Sequence, residues 1–277
     1  MPAKLYLCPA PLDFGCEPLS PITEVLPLGT LQTMAGITHW VCENAKTTRA
    51  VLKRVGEVVP LAVSIQEQTI TELPREVHKK GDHLADQAKA SKPMQGHAVK
   101  GNLLPNGAAA GGFDAKQLLA AAAQGHDIGL ISEAGMPAIA DPGSSVVRAA
   151  HALGIEVVPL VGPCSLLLAL AASGLNGQNF AFVGYLPQEA TERSQRISAL
   201  EKLALHSGQT QLFIETPYRN PALRDALLKT LAPNTRLSAS VGLTLASARS
   251  ASLLVSDWRK AKPVLDWALP CVFGIGR

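Results

Sequence analysis

At 277 residues, with 47% hydrophobic and 17% charged residues, the chain carries enough apolar material for one large or two medium domains and is not a disordered protein. Its formal net charge of +3 permits an anionic partner without the dense basic patch that announces a nucleic-acid binder. The longest apolar run, residues 166–172, stops at Ser173-Gly174, far short of the roughly 20 residues that span a bilayer, and the N-terminus lacks a signal-peptide pattern. A cytoplasmic protein without membrane contact is therefore expected. Five cysteines, at 8, 16, 42, 164 and 271, form no Cys-x-x-Cys pair, so neither a disulfide framework nor a metal site is expected.

In chain order, residues 5–8 predict a short strand that Pro9-Ala10-Pro11 breaks, because proline cannot donate to a ladder. Residues 21–31 predict a helix that Pro27 and Gly29 would end early, followed by a strand at 38–42 and a helix at 47–55 with Lys53 and Arg54 in its last turn. Residues 61–65 predict a third strand. The stretch from 87 to 112 mixes Lys89, Lys92 and Lys100 with a glycine- and alanine-rich run that has little to bury, and it is expected to be a flexible insertion. Two readings of its lysines, and of His78, His83 and His97, stay open: a solvated face, or a lid over a phosphate-bearing substrate. Asp114 caps a helix predicted to reach residue 123.

Residues 127–132 read as a buried parallel strand ending in the turn Ser132-Glu133-Ala134-Gly135-Met136-Pro137, which runs through Ala140-Asp141-Pro142-Gly143 into a helix opened by Ser144. A second apolar strand at 156–160 ends in Gly162-Pro163-Cys164-Ser165. Loops leaving parallel strands on one side face the region where open α/β sheets bind ligands. Beyond them the pattern predicts helices at 164–172, 191–206 and 220–231, and strands at 180–185, 211–214, 236–243, 252–256 and 271–275. The alternation of strand and helix argues for an α/β fold. We divide it into an N-terminal α/β domain, 1–161, and a C-terminal one, 162–277, with an interdomain cleft between them.

Three features bear on chemistry. The loop 132–137 has one carboxylate, Glu133, and two small residues, Ala134 and Gly135, that leave the backbone open to a ligand. Glu215 and Arg219 stand just beyond a strand, where they either pair with each other or orient a polar substrate. Lys46 follows Glu43-Asn44-Ala45 at another strand end, placed to meet an anion at a helix N-terminus. A phosphate-binding Gly-x-x-x-x-Gly-Lys loop, a Gly-x-Ser-x-Gly elbow and a His-Glu-x-x-His helix are all missing, which lowers the rank of phosphate cleavage, ester hydrolysis and zinc hydrolysis.

Taken together, these loops resemble the tetrapyrrole methylase superfamily, the class III S-adenosylmethionine-dependent methyltransferases. Within it the chain is most similar to the branch that 2′-O-methylates a cytidine of small-subunit ribosomal RNA. Residues 132–137 resemble that branch's Ser-Asp-Ala-Gly-Thr-Pro, Asp141-Pro142-Gly143 its Asp-Pro-Gly, and Gly162-Pro163-Cys164 its Gly-Pro-Cys turn. Gly184-Tyr185-Leu186-Pro187 resembles its Gly-Phe-Leu-Pro, and 215–219 its Glu-Ser-x-His-Arg. Where that branch has Glu-Asp-Thr-Arg-His-Thr, this chain has Glu43-Asn44-Ala45-Lys46-Thr47-Thr48. The resemblance implies two α/β domains, a homodimer, and S-adenosylmethionine held by Pro9, Ala10, Pro11, Ser132, Glu133, Ala134, Gly135, Met136, Pro137, Gly162, Pro163, Cys164 and Ser165. It makes Glu215 and Lys46 the expected catalytic side chains and RNA the expected methyl acceptor. A tetrapyrrole or other small-molecule acceptor is one alternative, and a cofactor-binding module without turnover is another.

Overall fold

A computed structural model describes residues 2–13, 15–16, 19–74 and 114–277; the expected insertion at 87–112 lies outside the described residues. The chain forms two units, Met1–Pro9 with Leu28–Val161, and Ala10–Pro27 with Gly162–Arg277. Residues 10–27 thus group with the second unit although they precede most of the first.

The first unit holds strands β1 (Lys4–Cys8), β2 (His39–Cys42), β3 (Thr69–Glu72), β4 (Ile128–Ile131) and β5 (Glu156–Pro159), in the order β3-β2-β4-β1-β5, with every pairing parallel. Helices α1 (Leu28–Gly36), α2 (Ala45–Gly56) and α3 (Ser144–Ala152) and a 3-10 helix, Ala115–Gln124, alternate with them. β4 is buried along its whole length, as a continuous apolar run demands of a central parallel strand. Leu5, Val41, Ile128 and Leu130 from the sheet pack with Leu119, Val146 and Ala150 from the helices. Asn44 caps α2 by accepting from the Lys46 and Thr47 amides, and Thr48, Leu52 and Val55 bury its inner stripe. Asp114 accepts from the Lys116 amide to open the 3-10 helix, and Gly125 ends it in the left-handed conformation at φ 85°.

One cross-strand pair sets the middle of this sheet. Trp40 of β2 stands opposite Gly129 of β4 and is 1% exposed, with its Nε1 donating to Gln68 Oε1 at 2.9 Å. A Cβ on Gly129 would lie 2.5 Å from the indole ring. The strand therefore has a glycine because the neighbouring strand has the largest side chain.

The second unit holds β6 (Phe180–Tyr185), β7 (Thr210–Glu215), β8 (Arg236–Val241), β9 (Arg249–Leu254) and β10 (Cys271–Gly276), in the order β6-β7-β10-β8-β9. Only β6 and β7 run parallel; the remaining pairings are antiparallel. Helices α4 (Ser165–Ser173), α5 (Ala190–Ser207), α6 (Asn220–Thr230) and α7 (Val255–Ala261) complete it. All six residues of β10 are buried, and Phe273 stacks on Phe213 at 5.8 Å and on Trp267 at 6.0 Å.

Three expected elements move. Residues 61–65 are no strand: the Ala62 amide donates to Ala35 O, the Ser64 amide to Glu67 Oε2, and the chain pairs with β2 only at the β-branched run of β3. β3 is an exposed edge, so it lacks the apolar run that marks a buried strand. The helix expected at 21–31 splits into a 3-10 turn, Ile22–Glu24, and α1, because the residue before Pro27 is biased away from helical geometry. The strand expected at 252–256 ends at Leu254, where α7 begins, so the apolar run 253–255 crosses from strand to helix.

Gly129→Ala is expected to destabilise the protein by about 1–3 kcal/mol through overpacking against Trp40. A urea titration should show a lowered midpoint with an unchanged slope.

Candidate active site at the carboxyl edge of the parallel sheet

The strand register decides which loops meet. Cys8 of β1 and Cys42 of β2 both pair with Ile131 of β4, and Cys42 also pairs with Glu72 of β3. The next residues, Pro9, Glu43 and Ser132, therefore leave the sheet at one level, along the edge where open α/β sheets bind ligands. The thiols just inside that edge are inert: burial holds those of Cys8 and Cys42 above their ordinary values.

The loop after β4 is the most unusual backbone of this unit. Gly135 (φ 74°), Ala138 (φ 63°), Ala140 (φ 66°) and Gly143 (φ 135°) all take positive φ, and two of these are alanines, for which the left-handed region is costly. The Ala138 amide donates to Pro142 O at 3.3 Å, closing the loop on itself. Gly143 is obligatory, since a Cβ there would come within 3.0 Å of Leu130 and 3.3 Å of Ala138. Ser132, at the start of the loop, is 5% exposed, and its Oγ has no hydrogen-bond partner among the described residues. A buried hydroxyl left in that state beside small residues suits a ligand that supplies the missing partner.

Three carboxylates gather here from two strand ends. Burial, with Glu43 and Glu133 facing it, pushes Asp141 up to about 7. Sequence reasoning treated Asp141 as a turn residue of Asp-Pro-Gly. The signal that would have singled it out is a third acid in the loops that follow β2 and β4.

Lys46 is exposed in the first turn of α2. The amides at that helix N-terminus are already taken: Ala45 donates to Glu72 Oε1 at 2.7 Å, and Lys46 and Thr47 donate to Asn44 Oδ1. Any anion that comes here meets the ammonium of Lys46 and not the open helix end proposed from the spacing. Ser132, Glu133, Ala134, Gly135, Met136 and Pro137 thus share one edge with Pro9, Glu43 and Lys46.

The other expected residues lie in the second unit. Ala10 and Pro11 are buried after Pro9, and Gly162, Pro163, Cys164 and Ser165 form the entry to α4, with Cys164 as its N-cap and the Leu168 amide donating to Cys164 O. Glu215 ends β7, 7% exposed. Its Oε1 accepts from the Thr216 amide at 2.7 Å, the Thr216 hydroxyl, Arg219 Nε at 2.9 Å and Arg219 Nη2 at 2.7 Å. That carboxylate is committed to holding the turn 216–219. The turn in turn presents Tyr218, 78% exposed, with the Arg219 guanidinium 5.4 Å from its ring centroid.

The profile of the tetrapyrrole (corrin/porphyrin) methylases matches residues 45–252. Ribosomal RNA small subunit methyltransferase I of Pseudomonas aeruginosa is 46% identical over 95 residues, 34% of this chain and 32% of that protein. The enzyme of the same name from Escherichia coli O157:H7 is 40% identical over 105 residues, 38% and 35% of the two chains. The matches therefore span about a third of those relatives' length. The crystal structure of the methyltransferase CobJ shares the fold at TM-score 0.51 and 15% identity, covering 99% of this chain and 94% of that one. Cobalt precorrin-4 methyltransferase, CbiF, does so at TM-score 0.50 and 11% identity, with the same coverage. A profile match over more than half of its length, carried on two α/β units, makes this chain a member of the tetrapyrrole (corrin/porphyrin) methylases.

Proposed function

We propose that this chain is an S-adenosylmethionine-dependent methyltransferase whose acceptor is a ribose hydroxyl of small-subunit ribosomal RNA. The observation that carries this reading is the local identity to enzymes named for ribosomal RNA methylation, 46% over 95 residues in the Pseudomonas relative. The edge loops support it. Ser132 offers an unpartnered buried hydroxyl, and Ala134 and Gly135 leave their backbone open to close approach. These residues, with Glu133, Met136 and Pro137, are the ones we assign to the cofactor; Pro9, Ala10, Pro11 and Gly162, Pro163, Cys164 and Ser165 are assigned on the resemblance alone. When bound, S-adenosylmethionine supplies a methyl group made electrophilic by its sulfonium.

An alcohol nucleophile needs its proton removed, and a carboxylate that titrates near neutrality does this best at working pH. Asp141, crowded by Glu43 and Glu133, is the group on this edge with that property, and we assign it to accept the hydroxyl proton on its carboxylate. Lys46, exposed beside Glu43, is assigned to an anionic group of the acceptor. Glu215 is assigned a positioning role, fixing Tyr218 and Arg219 through the bonds described above. A homodimer is also part of the proposal, supported by Leu167 and Leu168, which α4 leaves 52% and 39% exposed.

Titration calorimetry with S-adenosylhomocysteine should give saturable binding, and tritium transfer from S-adenosylmethionine should label undermodified small ribosomal subunits in preference to uroporphyrinogen. Binding without transfer to either acceptor would leave a cofactor-binding module, and no heat at all would end the proposal.

The Asp141 assignment predicts a transfer rate that rises with pH through about 7 and an Asp141→Asn variant that loses most of the rate together with that limb. Stability should move the opposite way. The folded state keeps a proton that the unfolded state releases above the ordinary carboxylate range, so stability falls as pH rises from about 4 to about 7. Asp141→Asn should remove this cost and, at neutral pH, melt at a higher temperature than the wild type.

A further inference from the structure

The second unit contains a groove that no part of the methyl-transfer site uses. It encloses about 490 Å³ and lies between the outer half of α6 and the end of α7, lined by Arg224, Asp225, Leu228, Trp258, Arg259, Lys262 and Pro263. Its charge is lopsided. Three cations face one carboxylate, and that carboxylate is already paired with Arg224 at 2.7 Å. Its apolar lining comes from Leu228, Trp258 and Pro263.

The two arginines are held in place. Arg259 donates from Nε and Nη2 to Leu228 O at 3.0 and 2.6 Å and from Nη2 to Leu231 O at 3.2 Å, which caps the carbonyl end of α6. Arg224 lies over the Trp267 ring at 5.2 Å, and Asn220, fully buried at the start of α6, donates to Trp267 O and Leu269 O, fixing that ring's turn against the helix. Lys262 is exposed and follows α7 in the left-handed conformation, φ 44°. At the other end of the same helix, the turn leading into α6 presents Tyr218, 78% exposed in a chain with only three tyrosines. Cations around a partly apolar groove, with an exposed aromatic ring in the turn ahead of one of its helices, are what a single-stranded nucleic acid requires: phosphates meet the guanidinium and ammonium groups, and a base stacks on the ring.

We infer that the groove between α6 and α7 carries the docking track for single-stranded RNA, with Arg224, Arg259 and Lys262 on the phosphates and Tyr218, in the turn ahead of α6, as a stacking platform. This inference rests on the RNA reading above and adds a second contact region to it. The track explains why Glu215 spends its carboxylate on the 216–219 turn, since a stacking ring must be held still to be useful.

The test measures binding of a fluorescein-labelled single-stranded oligoribonucleotide by anisotropy across a salt series, in the full chain. Arg224→Gln/Lys262→Asn should weaken binding and flatten the dependence of log affinity on log salt by about 1.4, which is about 0.7 for each phosphate contact on a single strand. Tyr218→Leu should weaken binding about 5- to 100-fold at every salt concentration and leave that slope unchanged. Both variants should keep the wild-type melting temperature and affinity for S-adenosylhomocysteine. If the wild type methylates ribosomal subunits while the double variant keeps the wild-type slope, the track is wrong and the activity stands. If the wild type neither binds RNA nor methylates it, both fall. A polyglutamate chain that displaces the oligonucleotide equally well, or a change of sedimentation coefficient in place of a change in RNA affinity, would reassign the groove to a protein partner or to a second copy and overturn the inference.

Discussion

The fit of one indole ring over one hydrogen atom governs the first unit. Trp40 lies where a Cβ on Gly129 would come within 2.5 Å of its ring, so this packing needs a glycine opposite it, and that requirement pins the register of β2 on β4. A one-residue slip would set the ring against Ile128 or Leu130 and turn each strand's inner residues outward. With that register held, Cys42 and Ile131 end their strands side by side, and the loops carrying Glu43 on one and Ser132 and Glu133 on the other start at the same level. The proximity that raises Asp141 is thus a consequence of core packing several residues back along the strands.

The second unit solves a different problem with different means. Its sheet is mixed, and β10 lies between antiparallel neighbours in the middle, with the stacked rings of Phe213, Phe273 and Trp267 packed into a largely aliphatic core. Order at its surface comes from side chains spent on backbone. Asn220 clamps the 266–269 turn, Arg259 closes α6, and Glu215 closes the turn before it. Each of these polar groups is anchored within its own unit and leaves a neighbouring aromatic or cationic group presented to solvent.

Much of this was legible in the amino acids. The strand at 180–185 falls where it is expected, and the runs at 128–131 and 156–159 are buried or half-buried strands because valine, isoleucine and leucine in short blocks have little else to do. The turn Ser132-Glu133-Ala134-Gly135 stood out because small residues and proline punctuate it. β3 did not stand out, since Thr69, Thr71 and Glu72 face solvent at an edge and leave no apolar signature. The grouping of residues 10–27 with the second unit was invisible for another reason: a chain that crosses from one unit to the other and returns carries no compositional mark. Asp141 carries no mark of its own in the sequence, because its burial and one of its two neighbouring carboxylates, Glu43 in the loop after β2, come from a part of the chain far from the loop after β4 that holds it and Glu133.

Ala138 and Ala140 have a further consequence. A peptide that already occupies an unfavourable region of backbone space has little freedom left to surrender when a guest arrives. The conformational penalty of shaping this loop is met when the polypeptide collapses, enforced by Gly143 wedged against Leu130, and the encounter with a small molecule is spared it. Replacing either alanine with glycine would relax the fold locally and, on the cofactor assignment proposed for residues 132–137, cost affinity, so tightness of capture and ease of folding would be set against each other in two methyl groups.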